Sequence, residues 1–182
     1  MKHKLNKTIV LVGMMGAGKT AVGKALAAKI AAPFLDSDAE IEHAANMSIP
    51  EIFSRDGEAF FRARESEVLQ RLLADPQKCV LSTGGGAFLA EQNRAMISAQ
   101  GVSVFLQAEL DLLWNRVRHK DTRPLLKTRD PRGALGKLFV ERAPVYALAD
   151  LTVMANASYS IDRMADKVLE ALKTRADVLE TS

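Results

Sequence analysis

With a single cysteine in 182 residues the chain has no internal disulfide, so its fold must rest on packing. That residue, Cys79, opens the apolar stretch Cys79–Ser82 and reads as a small buried side chain in a reducing compartment. Long hydrophobic runs are also missing, and no segment has the length a membrane span needs. The opening residues Met-Lys-His-Lys-Leu-Asn-Lys contain no apolar signal core, so the expectation is a cytoplasmic protein with no membrane partner. Internal repeats, low-complexity tracts and Pro/Ser-rich linkers are absent, and the chain reads as one domain over 1–182. Net charge is only +3, too small an excess to mark a nucleic-acid binder by itself. What is present is 48% hydrophobic and 26% charged residues, the balance of a globular chain that can bury a core.

Short apolar runs alternate with longer amphipathic ones, the pattern of an α/β sheet protein. The strands are expected at Thr8–Val12, Phe34–Asp36, Cys79–Ser82, Val102–Leu106 and Leu151–Val153. Helices are expected at Lys19–Ala31, Asp38–Ala45, Ile49–Ser54, Glu58–Leu73, Ala90–Ser98, Leu110–Arg118, Arg132–Tyr146 and Asp162–Arg175. Ser48-Ile-Pro-Glu51 reads as a capping box, Ser160 as the cap of the last helix, and the tail beyond Arg175 as frayed. Pro144 should end or bend the helix that contains it.

Between the first strand and the first helix lies Gly13-Met-Met-Gly-Ala-Gly-Lys19-Thr20, a G-x-x-x-x-G-K-[ST] phosphate loop in its required strand–loop–helix setting. The backbone N–H groups of Gly13, Gly16, Ala17 and Gly18, with the helix N-terminus, make a positive cradle for phosphate. Lys19 would reach the β- and γ-phosphates, and the Thr20 hydroxyl would ligate Mg²⁺. The same residues also fit a dinucleotide fingerprint, Gly16-Ala-Gly-Lys-Thr-Ala21, with acids following at Asp36 and Asp38. Lys-Thr at the helix start argues for the triphosphate, because both residues have a defined task there.

The next two strands end in equally loaded loops, and ligands of open parallel sheets bind beyond the carboxyl ends of the strands. Asp36 and Asp38 point to one face while the chain stays extended, so one could support Mg²⁺ through water and the other a substrate hydroxyl. An Asx turn with a helix cap at Asp38 is the plainer reading. Gly84, Gly85 and Gly86 follow a buried strand, where they let a ligand lie against the backbone or form a simple turn. Arg62 shares a helix face with Glu58 and Glu65, either as a surface ion-pair ladder or as an arginine oriented toward an anionic substrate. Cations crowd into Arg116–Arg132, but without interleaved aromatics they suit a lid over polyphosphate better than a nucleic-acid platform. Arg142, in Glu141-Arg142-Ala-Pro144-Val-Tyr146, is either a surface residue or a further anion contact.

Together these segments resemble the shikimate kinase family, small kinases of the nucleoside-monophosphate-kinase type, in order and over nearly the whole chain. The resemblance rests on Gly13–Thr20, Asp36-Ser-Asp38, Phe61-Arg62 with Glu65, Gly84–Gly86, Thr122-Arg123-Pro-Leu-Leu126 and Glu141-Arg142-Ala-Pro-Val-Tyr146. It implies a three-layer α/β/α fold with a five-stranded parallel sheet, a substrate-binding helical segment about 38–65 and a mobile lid about 117–133. It implies ATP-dependent phosphorylation of the shikimate 3-hydroxyl, a step toward chorismate and the aromatic amino acids, by a monomer that uses Mg²⁺. By position, Lys19, Asp38 and Arg123 become the catalytic residues, and Asp38, Arg62, Gly84, Gly85, Gly86 and Arg142 hold shikimate. Gly13, Gly16, Ala17, Gly18, Lys19, Thr20, Arg116 and Arg123 hold the nucleotide. Thr20, with Asp36 and Ser82 through water, attends the metal. A further adenine-contacting loop is expected near Ala155–Ser158.

Overall fold

The computed structural model describes residues 1–119 and 128–182. In chain order the elements are β1 (His3–Leu5), β2 (Thr8–Val12), α1 (Lys19–Lys29), β3 (Phe34–Asp36), α2 (Ser37–Ala45), α3 (Ile49–Asp56) and α4 (Glu58–Ala74). They continue with β4 (Val80–Ser82), a 3₁₀ turn (Ala87–Leu89), α5 (Glu91–Gln100), β5 (Gly101–Gln107), α6 (Leu110–Val117), α7 (Pro131–Tyr146), β6 (Leu151–Met154), α8 (Ile161–Leu172) and β7 (Leu179–Thr181).

β2, β3, β4, β5 and β6 form one parallel sheet in the order β3-β4-β2-β5-β6. Every residue of β2 and β4 is buried, as is all of β5 but its last. Such unbroken apolar strands are those of a sheet covered on both faces. α1 packs on α8 and against β3 and β4, while α5 packs on β5 and α4. The result is the expected α/β/α arrangement on a five-stranded parallel sheet. Among the described residues, no helix is long and apolar enough to cross a membrane.

The local expectations met three kinds of outcome. The capping box is present: Ser48 Oγ accepts from Glu51 N at 3.3 Å and donates to Glu51 Oε1 at 2.9 Å. Ser160 caps α8 by accepting from Arg163 N at 3.0 Å. α1 stops at Lys29 rather than Ala31, because Ala31 turns into the left-handed region at φ 53°. Pro144 does not end its helix; it lies inside α7, which continues to Tyr146. The tail beyond Arg175 is not frayed. β7 pairs antiparallel with β1, with Leu5 opposite Leu179 and His3 opposite Thr181.

Candidate active site

The carboxyl ends of β2, β3 and β4 are brought side by side by their register, with Leu11 beside Ser82 and Asp36 beside Ser82. The loops beyond them line one cleft of about 1060 Å³. Its walls include Gly16–Thr20, Asp36, Asp38, Arg62, Ser82, Gly84–Gly86, Arg116 and Arg142, residues that lie far apart in sequence. Gly13 lies beneath the wall and takes part through its carbonyl. Arg123 falls outside the described residues, as do residues 120–127 of the expected lid.

At the donor end, Gly18 caps α1 in the left-handed conformation at φ 93°, where a side chain is strained. α1 has no acidic residue in its first turn, so its own side chains leave the positive end of the helix dipole open to the phosphate it would meet. Lys19 Nζ donates to Gly13 O at 2.7 Å and Met14 O at 3.1 Å, which holds the ammonium over the loop. Arg116, from α6, donates to Gly16 O at 3.1 Å and Ala17 O at 3.3 Å and braces the loop from its outer side. Asn156, Tyr159 and Ile161, from the expected adenine loop and the start of α8, complete this end of the cleft.

Between the two ends stand the aspartates. Asp36, not Asp38, is the helix cap: its Oδ1 accepts from Asp38 N at 2.9 Å and Ala39 N at 3.3 Å. The chain therefore turns helical at Ser37, and the two carboxylates reach the same cleft from a cap and a first helical turn, not from an extended strand. Burial pushes the Asp38 carboxyl pKa up, the nearby Asp36 charge pushes it further, and the Lys19 and Arg62 cations oppose both. Thr20 is exposed at the start of α1. Among the described residues no group of three or more His, Cys, Asp or Glu could cage a metal. Mg²⁺ does not need one, since it keeps several waters and takes one or two protein oxygens plus substrate phosphates. The hard oxygen donors Thr20 and Asp36, with Ser82 alongside, fit that habit.

At the acceptor end, Glu65 is only 3% exposed and its Oε1 meets Arg62 Nη1 at 3.0 Å, while Glu58 stands at 3.7 Å from Arg62 Nε. Burial raises the Glu65 pKa, against the pull of Arg62. The Arg62 guanidinium lies directly over Gly86, where a Cβ atom would collide with it. A Cβ on Gly85 would stand 3.0 Å from Arg142 Nη1, and one on Gly84 would stand 2.6 Å from Asp38 Oδ1. Each of the three glycines thus makes room for a different charged side chain. The triple glycine is the floor on which Asp38, Arg142 and Arg62 converge. Residues that sequence reasoning missed are Ile49, Pro50 and Phe53 of α3, which form an apolar wall, and Tyr146. Their signal was weak, because apolar residues on an amphipathic helix read as core.

The chain resembles known proteins along its whole length. The family model described as shikimate kinase matches residues 15–173. A shikimate kinase of Ruegeria pomeroyi is 67% identical over 178 residues, covering 98% of this chain and 91% of that protein. A structure of the Acinetobacter baumannii shikimate kinase in complex with shikimate superposes with a TM-score of 0.84 at 38% identity, covering 92% and 93% of the two chains. A gluconokinase of Sinorhizobium meliloti has a TM-score of 0.60 at 18% identity over 96% and 95%, a likeness of fold alone.

Proposed function

We propose a function that proceeds from family membership: the chain belongs to the shikimate kinase family. It transfers the γ-phosphoryl group of ATP to the 3-hydroxyl of shikimate, giving shikimate 3-phosphate and ADP. The observation that carries this reading is the convergence of Arg62 and Arg142 on adjacent glycines, across the cleft from the phosphate loop. Two guanidiniums on one floor suit a single carboxylate, which accepts forked N–H donors. Asp38, against the third glycine, suits neighbouring ring hydroxyls.

The acceptor is held first. Arg62, steadied by Glu65, and Arg142 take the carboxylate, and this directs the ring hydroxyls toward Asp38. Asp38 orients the attacking hydroxyl and accepts its proton as the new P–O bond forms and the bond to the ADP oxygen breaks. Lys19 and the loop N–H groups meet the charge on the transferring phosphoryl and on the leaving ADP. Thr20 and Asp36, with Ser82, would hold Mg²⁺, which when bound neutralises charge on the β- and γ-phosphates. Arg123 supports the phosphates from the segment after α6. The protein acts as a monomer in this reading.

Two measurements test it. ADP release should depend on shikimate and be absent with gluconate; shikimate-independent release alone would overturn the assignment. Arg142→Ala should raise the KM for shikimate by roughly a hundredfold, as expected when a charged partner is removed, and leave the KM for ATP within about twofold. An unchanged shikimate KM would remove Arg142 from the carboxylate site.

A further inference from the structure

Four residues after Arg142, on the same face of α7, stands Tyr146. Among the described residues it is the largest fully buried side chain, at 0% exposure. Its ring packs against Phe105 of β5, with centroids 5.5 Å apart. The phenol does not end in apolar surroundings: its hydroxyl donates to the carbonyl of Gly85 at 2.5 Å. The Arg142 guanidinium lies beside it, and its charge and hydrogen bonding oppose the upward pull that burial exerts on the phenol's pKa. A Cβ on Gly85 would stand 3.0 Å from Arg142 Nη1 and 3.4 Å from the Tyr146 hydroxyl. The phenol and the guanidinium therefore meet at one point on the glycine floor, the Gly85 backbone.

We propose that Tyr146 is a positioning residue for the acceptor substrate, its hydroxyl pinning the Gly85 carbonyl and thereby setting the gap between Arg142 and the glycine floor. A triple-glycine segment has little side-chain packing of its own to fix it. Gly84 N is tied to Ser37 Oγ at 3.4 Å, and Thr83 Oγ1 to Leu11 O at 3.0 Å. The phenol is the tie at Gly85. It also joins α7 to the floor, so the arginine and the backbone it faces move as one unit. A donor chain running from guanidinium to phenol to carbonyl is polarised in one direction, which strengthens each link. The inference rests on the reading that Arg142 takes the substrate carboxylate.

The test is Tyr146→Phe, which keeps the ring and its packing and removes only the donor. The shikimate KM should rise roughly tenfold, the scale of one buried hydrogen bond, while the ATP KM stays within about twofold. A purely structural tyrosine would shift both constants alike or lower the folded fraction, and either result overturns the proposal. In the Arg142→Ala background, adding Tyr146→Phe should produce no further rise in shikimate KM, because the tyrosine acts through the arginine. Additive effects would show that it does not. Gly85→Ala probes the same gap from the opposite side without touching the phenol, and should likewise raise the shikimate KM and spare that for ATP. If Arg142→Ala itself leaves the shikimate KM unchanged, the carboxylate reading fails. If Arg142→Ala raises it and Tyr146→Phe does not, only the positioning role fails.

Discussion

Asp38 has conflicting demands on it. In the proposed mechanism it must be ionised to accept a proton, yet burial and the Asp36 charge raise its pKa above the ordinary aspartate value of 3.8. In the window between 3.8 and its native pKa the folded state holds more protons than the unfolded state. Stability from this group is therefore full below 3.8 and is lost as pH rises through the native value. Asp38→Asn should accordingly melt higher than the unmodified protein near neutral pH without ligands, with the gain shrinking as pH falls toward 3.8, while turnover is lost. Thermal melts across pH check the first part. A lower melting temperature for Asp38→Asn at neutral pH would show that Lys19 and Arg62 outweigh burial. The acid limb of kcat/KM for shikimate should also lie above the ordinary aspartate range, since that ratio reports the free enzyme. The sequence assigned Asp36 and Asp38 different tasks, but this conflict was not legible there, because burial and neighbouring charge belong to the folded chain.

At the scale of elements, the difference between those two aspartates comes from where one helix starts. Asp36 ends β3 and caps α2, so its Oδ1 is committed to two backbone N–H groups before any metal arrives. Asp36→Asn keeps an acceptor oxygen for the cap and removes the charge; Asp36→Ala removes both. The alanine variant should lose about 1 kcal/mol of stability, and the asparagine variant should stay close to the unmodified protein in urea unfolding. Both should lose activity if the carboxylate supports the metal, so an active Asp36→Asn would assign Asp36 to the cap alone. The elements themselves were largely legible. β2 and β3 have the bounds expected of them; β2 does so because a buried parallel strand leaves a plain apolar signature, and β3, a half-buried edge strand, because its short apolar run ends at Asp36. The ends of α1 and α7 were less so. Ala31 adopts a left-handed conformation that its residue type does not announce, and Pro144 is tolerated within the last turn of α7. The cleft's motif residues could be named in advance because phosphate and carboxylate chemistry restricts residue types, whereas Tyr146 and Phe53 read in the sequence as core aromatics.

The whole molecule places its chemistry at one edge of the sheet and joins its termini at the other. β1 precedes β2, whose five residues span roughly 16 Å, so the β1–β7 ribbon lies a strand's length from the phosphate loop. Asn6 N donates to Val178 O at 2.8 Å, and Val178 is 0% exposed. Arg175 forks onto Asp177 with both contacts at 2.8 Å, and Lys7 reaches the same carboxylate at 3.3 Å. These cations hold the Asp177 carboxyl well below the usual range, so its contribution is present above 3.8 and fades as pH falls, opposite in sign to Asp38. Three-residue strands with the sequences His-Lys-Leu and Leu-Glu-Thr carry no periodicity to read. Their pairing across 178 positions depends on where the rest of the fold leaves them. Deleting 178–182 removes β7 and two buried apolar side chains, Val178 and Leu179. It should cost about 3–6 kcal/mol from lost apolar burial and lower the melting temperature by roughly 6–24 °C. Because no residue of β1 or β7 lines the cleft among the described residues, kcat/KM for shikimate and for ATP at 20 °C should stay within about twofold. A truncated protein that melts normally but turns over slowly would mean that the joined termini support the site and not only the fold.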